Sequence, residues 1–134
     1  MRPPDEVRRE LVAQWLGRAE EDLAVARHLL TEELPYYAAI GFHAEQAAEK
    51  FIKAFLVARQ VEFPKTHDLG RLLDLVATVD ATLSADLASA VGLTDYGVDV
   101  RYPGDLPQLT AADARQAVDD ALLVQARITP HLRG

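Results

Sequence analysis

The chain has 134 residues, the length of one small domain, and 49% of them are apolar, which supports a folded core and excludes a disordered chain. The formal net charge of −7 argues against a general nucleic-acid coat protein, because phosphate binding depends on basic patches, although a local basic site is still allowed. The absence of cysteine excludes disulfides, thiolate zinc sites and cysteine nucleophiles.

The expected location is the cytoplasm, because the sequence shows no sign of export or of membrane insertion. The first ten residues, MRPPDEVRRE, have no apolar segment behind their arginines, so they do not resemble a secretory signal. The longest apolar stretch, Tyr36–Phe42, is far too short to span a bilayer. We therefore expect no membrane partner.

Hydrophobic spacing predicts a first long helix from Pro4 to Thr31. Its apolar residues recur every three or four positions and form one stripe: Leu11, Trp15, Ala19, Leu23, Ala26 and Leu30. Asp22 lies within this stripe, and a carboxylate on a buried face needs a basic partner. Lys53 or Arg101, from another part of the chain, is the expected partner of Asp22.

A second long helix is predicted from Pro35 to Gln60, and it has two distinct faces. One face is rich in alanine, which lets a neighbouring helix approach closely. The opposite face mixes large apolar and charged side chains, which is unusual for a face in plain solvent. It is a candidate subunit interface or ligand site, and its residues are Phe42, Gln46, Glu49 and Lys53.

Three shorter helices follow. Thr66 is the predicted N-cap of the third helix, and the fourth begins around Thr82–Ser84 and loses its regularity at Gly97. Thr110 and Asp113 have the spacing of a capping box, with aspartate in place of the usual glutamate, so the fifth helix begins there.

Two long and three shorter helices with short connections predict an all-α fold, an antiparallel up-down bundle of about five helices. No repeat or change in composition divides the chain, so we expect residues 1–134 to form a single domain. A small bundle with a partly apolar second face is expected to form a dimer or a higher oligomer.

The sequence predicts no metal and no cofactor. No glycine pair matches a phosphate-binding loop, and no histidine has a second histidine at the spacing of a metal motif. Glu45 and Glu49 are one helical turn apart and could hold a magnesium ion, but a solvated or subunit-facing acidic pair is the favoured interpretation.

Positive charge is concentrated in residues 50–71, which contain five basic and two acidic side chains. If a nucleotide or RNA binds, the candidate ligand residues are Lys50, Lys53, Lys65, His67, Arg101 and Tyr102. A solvated basic face is the competing interpretation. His67 is either a proton carrier or a structural residue of the helix start, and Arg101 either clamps a phosphate or pins its loop. These two residues are the candidates for catalysis.

Five segments in order make the chain resemble a known family: WLGRAEEDLAVARHLL, GFHAEQAAEKFIKAFL, PKTHDLGRLL, LTDYGVDVRYP and the alanine-spaced last helix. The sequence resembles the HEPN family (higher eukaryotes and prokaryotes nucleotide-binding) over about residues 15–128. The resemblance implies a bundle of about five helices that is usually a homodimer. It also implies frequent pairing with a small nucleotidyltransferase, often as a toxin–antitoxin couple.

Many members of that family are metal-independent ribonucleases, whose motif is an arginine followed by four to six residues and then a histidine at the dimer cleft. This chain departs from the motif, because Arg101 is followed by YPGDLPQ and no other arginine has a histidine at that spacing. The tyrosine that partner transferases modify near the motif histidine has no assignable counterpart, since Tyr102 is only nearby.

Three hypotheses of function remain. The favoured one is a nucleotide- or RNA-associated binding module that partners a small nucleotidyltransferase, because it needs no catalytic histidine and suits the acidic charge. The second is a ribonuclease toxin in which Arg101 acts with His67 or His43. The third is a purely structural helical dimer that binds no ligand.

Overall fold

The structure is a computed structural model that describes residues 4–97 and 109–132. These residues form helices and no strand, which confirms the predicted all-α helical bundle. The α-helices are α1 (Pro4–Thr31), α2 (Tyr37–Ala58), α3 (Leu69–Ala77), α4 (Ala81–Asp86) and α5 (Ala111–Ile128). Two 3₁₀ helices, η1 (Ala88–Gly97) and η2 (Thr129–Leu132), follow α4 and α5 respectively.

Local side-chain caps explain where the later helices begin. The predicted capping box of α5 is present: Oγ1 of Thr110 accepts from the Asp113 amide at 3.1 Å, and Asp113 accepts from the Thr110 amide at 2.9 Å. Asp80 caps α4 in a similar way by accepting from the Leu83 amide at 2.9 Å. As a result α4 begins at Ala81, one residue before the predicted range.

The prediction that Thr66 caps the third helix is wrong. The N-cap of α3 is Asp68, whose carboxylate accepts from the Arg71 amide at 3.3 Å. Thr66 instead accepts from the amide of Asp68 at 3.1 Å and shapes the turn before the helix. The carboxylate is the better acceptor for the amides of the first turn, so the helix starts two residues later than the threonine suggests.

Helix α2 is the centre of the bundle, and it packs against α1, α3, α5 and η1. Its large side chains Phe51, Ile52 and Phe55 are fully buried, and each such burial stabilises the fold by about 1.5–3 kcal/mol. Eight alanines from three of these helices are buried, and their small side chains allow close packing: Ala19, Ala26, Ala44, Ala47, Ala48, Ala114, Ala117 and Ala121. Because other helices surround most of α2, three of its charged side chains are buried in the interior.

Within residues 4–97 and 109–132, none of the helices combines the length and the apolar character needed to cross a membrane.

Candidate functional site

Three charged side chains of α2 lie inside the protein, spaced one helical turn apart along the same face. They are Glu45, Glu49 and Lys53, and all three are buried within their own chain. The sequence favoured a solvated or subunit-facing acidic pair at Glu45 and Glu49, and the structure corrects this interpretation. Buried charges require partners, and the partners differ among these three side chains.

The carboxylate of Glu49 is satisfied by two basic side chains. Its Oε2 accepts from Nζ of Lys53 at 3.1 Å, and its Oε1 lies 2.7 Å from Nδ1 of His67. An ionised carboxylate can only accept, so Nδ1 of His67 carries the proton in this contact. Nε2 is therefore the nitrogen that stays available on an imidazole that is 62% exposed.

Lys53 is held by aromatic rings as well as by Glu49. Its ammonium lies 5.4 Å from the ring centre of Trp15 and 5.7 Å from that of Phe63, and these two rings meet edge to face. Such cation–π contacts stabilise a desolvated ammonium. Lys53 is therefore fixed inside its own subunit by an ion pair and two rings.

Glu45 has the most unusual environment of the three. Burial, together with the nearby charge of Glu49, raises the pKa of Glu45 to about 8, so its carboxyl is protonated at neutral pH. Gln46 donates to its Oε2 at 2.8 Å, while its Oε1 has no hydrogen-bond partner among the described residues. Gly97, the last residue of η1, packs directly on this carboxyl, and a methyl group at Gly97 would overlap it.

A second acidic residue, Asp22 of α1, also has one lysine and one histidine as partners. Nζ of Lys50 donates to its Oδ2, and Nδ1 of His43 lies 3.0 Å from its Oδ1. The expected partner of Asp22 was Lys53 or Arg101. The Lys53 assignment is wrong, because the lysine that contacts Asp22 is Lys50, about one turn earlier on α2. Arg101 lies outside the described residues.

The predicted ligand residues fall into two groups in the structure. Lys50 and Lys53 form ion pairs inside the fold, which neutralise two of the five basic side chains of the expected basic segment. Lys65 and His67 are exposed on the turn between α2 and α3. Tyr102, like Arg101, lies outside the described residues.

The four residues of the predicted subunit interface also differ in how deeply they are buried. Glu49 and Lys53 are buried in their own chain, whereas Phe42 and Gln46 are only partly buried. The ring of Phe42 packs edge to face on that of His43, with 5.3 Å between centres. The interface itself stays a prediction, and Phe42 and Gln46 are the two residues that a second copy can reach.

Sequence reasoning missed two contacts of this site, Glu49 with His67 and Glu45 with Gly97. The available signal was the i, i+4, i+8 spacing of Glu45, Glu49 and Lys53 on a helix with few solvent-facing positions. The turn-by-turn spacing shows that these side chains share a face, but it does not show what covers that face. Across the described ranges, no group of three or more histidine, aspartate and glutamate side chains is arranged to hold a metal ion.

The arrangement gives His67 two chemical capabilities. With Nδ1 held by Glu49, its Nε2 can accept a hydrogen bond or a proton, and the protonated ring can donate to an anion. A buried carboxylate that orients an exposed imidazole is also the arrangement found in general-base catalysis.

Comparison with known proteins gives a family profile and two related structures. The profile of the HEPN domain matches residues 12–128. The crystal structure of TT1696 from Thermus thermophilus is 29% identical, with a TM-score of 0.71 over 90% of this chain and 97% of that one. The crystal structure of ST0689, an archaeal HEPN homologue, is 24% identical, with a TM-score of 0.70 over 91% of this chain and 98% of that one. No curated protein matches the chain.

Proposed function

Because the chain belongs to the HEPN domain family, we propose that it is a nucleotide- or RNA-associated binding module and the partner of a small nucleotidyltransferase in a toxin–antitoxin-type pair. The observation that carries the binding function is the exposed imidazole of His67 held by the buried carboxylate of Glu49. The pairing with a nucleotidyltransferase is supported by the family alone.

The Glu49–His67 pair is suited to binding because one of its members is fixed by the protein interior. An imidazole whose ring is already oriented loses less side-chain entropy when a ligand binds than a free surface histidine does. Its Nε2 can meet a ribose hydroxyl, a base edge or a phosphate oxygen. Lys65 is exposed two residues earlier and supplies a positive charge on the same turn.

The internal ion pairs of Lys50 and Lys53 limit how strongly this module can hold a phosphate backbone. Both ammonium groups already have carboxylate partners, so they have little charge to offer a ligand. The proposed ligand residues are therefore Lys65 and His67, with Arg101 and Tyr102 from the sequence hypothesis. Few phosphate contacts mean that the affinity falls only weakly as salt increases.

Binding of a short labelled single-stranded RNA and of labelled ATP, measured by fluorescence anisotropy at low and moderate salt, tests this proposal. We expect His67→Ala to weaken binding about tenfold, which corresponds to about 1.4 kcal/mol, the order of magnitude of one hydrogen bond. Arg27→Ala, which removes an exposed cation from α1, is the matched control and should leave the affinity unchanged. Absence of binding to both probes would contradict the proposal.

The Glu49–His67 geometry also favours a second candidate function, a metal-independent ribonuclease toxin. Such an enzyme needs a base within hydrogen-bond reach of the attacking 2′-hydroxyl, and Nε2 of His67 is a suitable group. Cleavage of RNA without metal, by wild type, His67→Ala and Arg101→Ala prepared identically, separates the two functions. Loss of cleavage in both variants supports the nuclease, whereas no cleavage, or equal cleavage in all three, leaves the binding module.

A further inference from the structure

A cavity of about 420 Å³ lies between the first half of α1, the last residue of α2 and η2. Its volume lies in the range of about 300–1,000 Å³ that is usual for small-molecule sites. The described residues that line it are Arg8, Arg9, Val12, Ala13, Leu16, Ala58, His131 and Leu132. None of them belongs to the clusters around Glu49 and Asp22, so this cavity, called here the basic cavity, is separate from the proposed nucleotide site.

The charge of the basic cavity is opposite to that of the whole protein. The chain carries a formal net charge of −7, yet the described lining contains two arginines and one histidine and no carboxylate. A neighbouring cavity of about 430 Å³ also borders His131, and its lining includes Asp80, Asp86 and Arg127. The two cavities have nearly equal volumes, but the described lining of the basic cavity is the more positive of the two, which favours an anion.

Local contacts hold two of the three basic side chains in place. The guanidinium of Arg8 pairs with Asp5 at 3.0 Å, and the ring of His131 packs edge to face on Phe55 with 5.5 Å between centres. Arg9, one residue further along α1, is exposed at the cavity. A guanidinium can bind a carboxylate or a phosphate through two parallel hydrogen bonds.

Five of the eight described residues that line the basic cavity are aliphatic. Val12 and Leu16 come from one face of α1, and Leu132 faces them from η2, while Ala13 and Ala58 leave the space open between these elements. Such walls remove hydrocarbon from water, and the one ring in the described lining, that of His131, already packs on Phe55. A ligand with an aliphatic chain and an anionic head fits this lining, because the chain is buried against the aliphatic residues and the head binds a guanidinium.

We propose that the basic cavity binds a small aliphatic anion, with its carboxylate or phosphate on Arg9 and its chain along Val12, Leu16 and Leu132. Isothermal titration of the full chain with octanoate and with octyl phosphate tests this proposal and shows which headgroup is preferred. Octanol and inorganic phosphate are the controls, because each carries only half of the recognised chemistry. We expect at least one of the two amphipathic anions to bind about tenfold more tightly than either control.

Three variants show whether binding occurs in this cavity. Arg9→Ala removes a cation and Ala13→Trp fills the space from an exposed position of α1, so each should weaken binding of the preferred anion about tenfold. Arg127→Ala, in the neighbouring cavity, is the matched control and should leave that affinity unchanged. Circular dichroism confirms that the variants fold. No binding by wild type, octanol binding as tightly as octanoate and octyl phosphate, or undiminished binding by Ala13→Trp would each overturn the proposal.

Discussion

The carboxylate of Glu49 lies 2.7 Å from Nδ1 of His67, although the Glu49 side chain is 3% exposed and that of His67 is 62% exposed. The contact joins the interior of the bundle to its surface. Glu49 also pairs with Lys53. A substitution that moves the Glu49 carboxylate therefore also changes the orientation of the His67 ring, on which the proposed binding function depends.

Removal of the charge of Glu49 should destabilise the protein strongly. Glu49→Gln leaves the ammonium of Lys53 buried without its counter-ion, and breaking a buried pair costs about 3–5 kcal/mol. Denaturant unfolding measures the loss, and Glu62→Gln, at an exposed position, is the control that should change little.

A second substitution separates the cost of the unpaired charge from general damage to the core. Lys53→Met in the Glu49→Gln background removes the orphaned ammonium, so the double variant should be more stable than Glu49→Gln alone by about 1 kcal/mol or more. A double variant that is less stable than Glu49→Gln would show that the pair is not the source of the loss.

The contact between Gly97 and Glu45 predicts that only one of two glycines in η1 can be replaced. Gly97→Ala forces a methyl group into the Glu45 carboxyl and should cost about 1–3 kcal/mol in unfolding free energy. Gly92→Ala, in the same helix, has open space for the methyl group and should be neutral or nearly so. Equal effects of the two substitutions would contradict the contact.

The raised pKa of Glu45 predicts a specific pH dependence of stability. The folded protein keeps the proton up to about pH 8, while the unfolded carboxyl loses it near its ordinary value of 4.5. The unfolded state therefore binds fewer protons in this window, and the contribution of Glu45 to stability falls as pH rises from about 4.5 to 8. Below this window the contribution is constant.

Glu45→Gln tests the direction of that dependence. The glutamine side chain of the variant cannot ionise, so the variant does not share the loss of stability that wild type shows between pH 5 and pH 8. The unfolding free energy of the variant minus that of wild type should therefore rise over this range, by an amount on the order of a few kcal/mol. Urea unfolding at the two pH values measures the difference, with Glu62→Gln as the control. Parallel pH profiles for wild type and Glu45→Gln would show that Glu45 titrates normally.

The predicted homodimer can be tested at Phe42. Members of the HEPN family often dimerise, and Phe42 is a partly buried aromatic residue on the proposed contact face of α2. Phe42→Arg places a charge in that contact, and light scattering should show a monomer where wild type is a dimer. Val79→Arg, at an exposed apolar residue after α3, should leave the mass unchanged. An unchanged dimer in Phe42→Arg would remove this face as the contact.

The helices were predictable because local rules determine them. The limits Pro4 and Thr31 of α1 agree with the apolar periodicity and the nearby proline, and the capping box at Thr110 needs only residues within one turn. Helix α2 begins at Tyr37, two residues after the predicted Pro35, because the backbone of Tyr36 is not helical and this residue takes the N-cap position.

The partners of the buried charges were less predictable, because they depend on how the helices are rotated against one another. Lys50 and Lys53 are nearly one turn apart on α2, so either can face Asp22 until the rotation of α1 on α2 is known. His67 reaches Glu49 through a turn whose path the sequence does not specify. Periodicity indicates which side chains share a face, and only packing indicates which pairs meet.

The most direct test of the account is a long-range ¹H–¹⁵N spectrum of the histidine rings, recorded with and without a short single-stranded RNA. If His67 is the fixed, ligand-facing imidazole, its Nε2 signals should shift on RNA addition, and Glu49→Gln should reduce that shift. His28, exposed in the last turn of α1, should not respond. Unchanged His67 signals at RNA concentrations that saturate binding, or equal shifts at His67 and His28, would contradict the account.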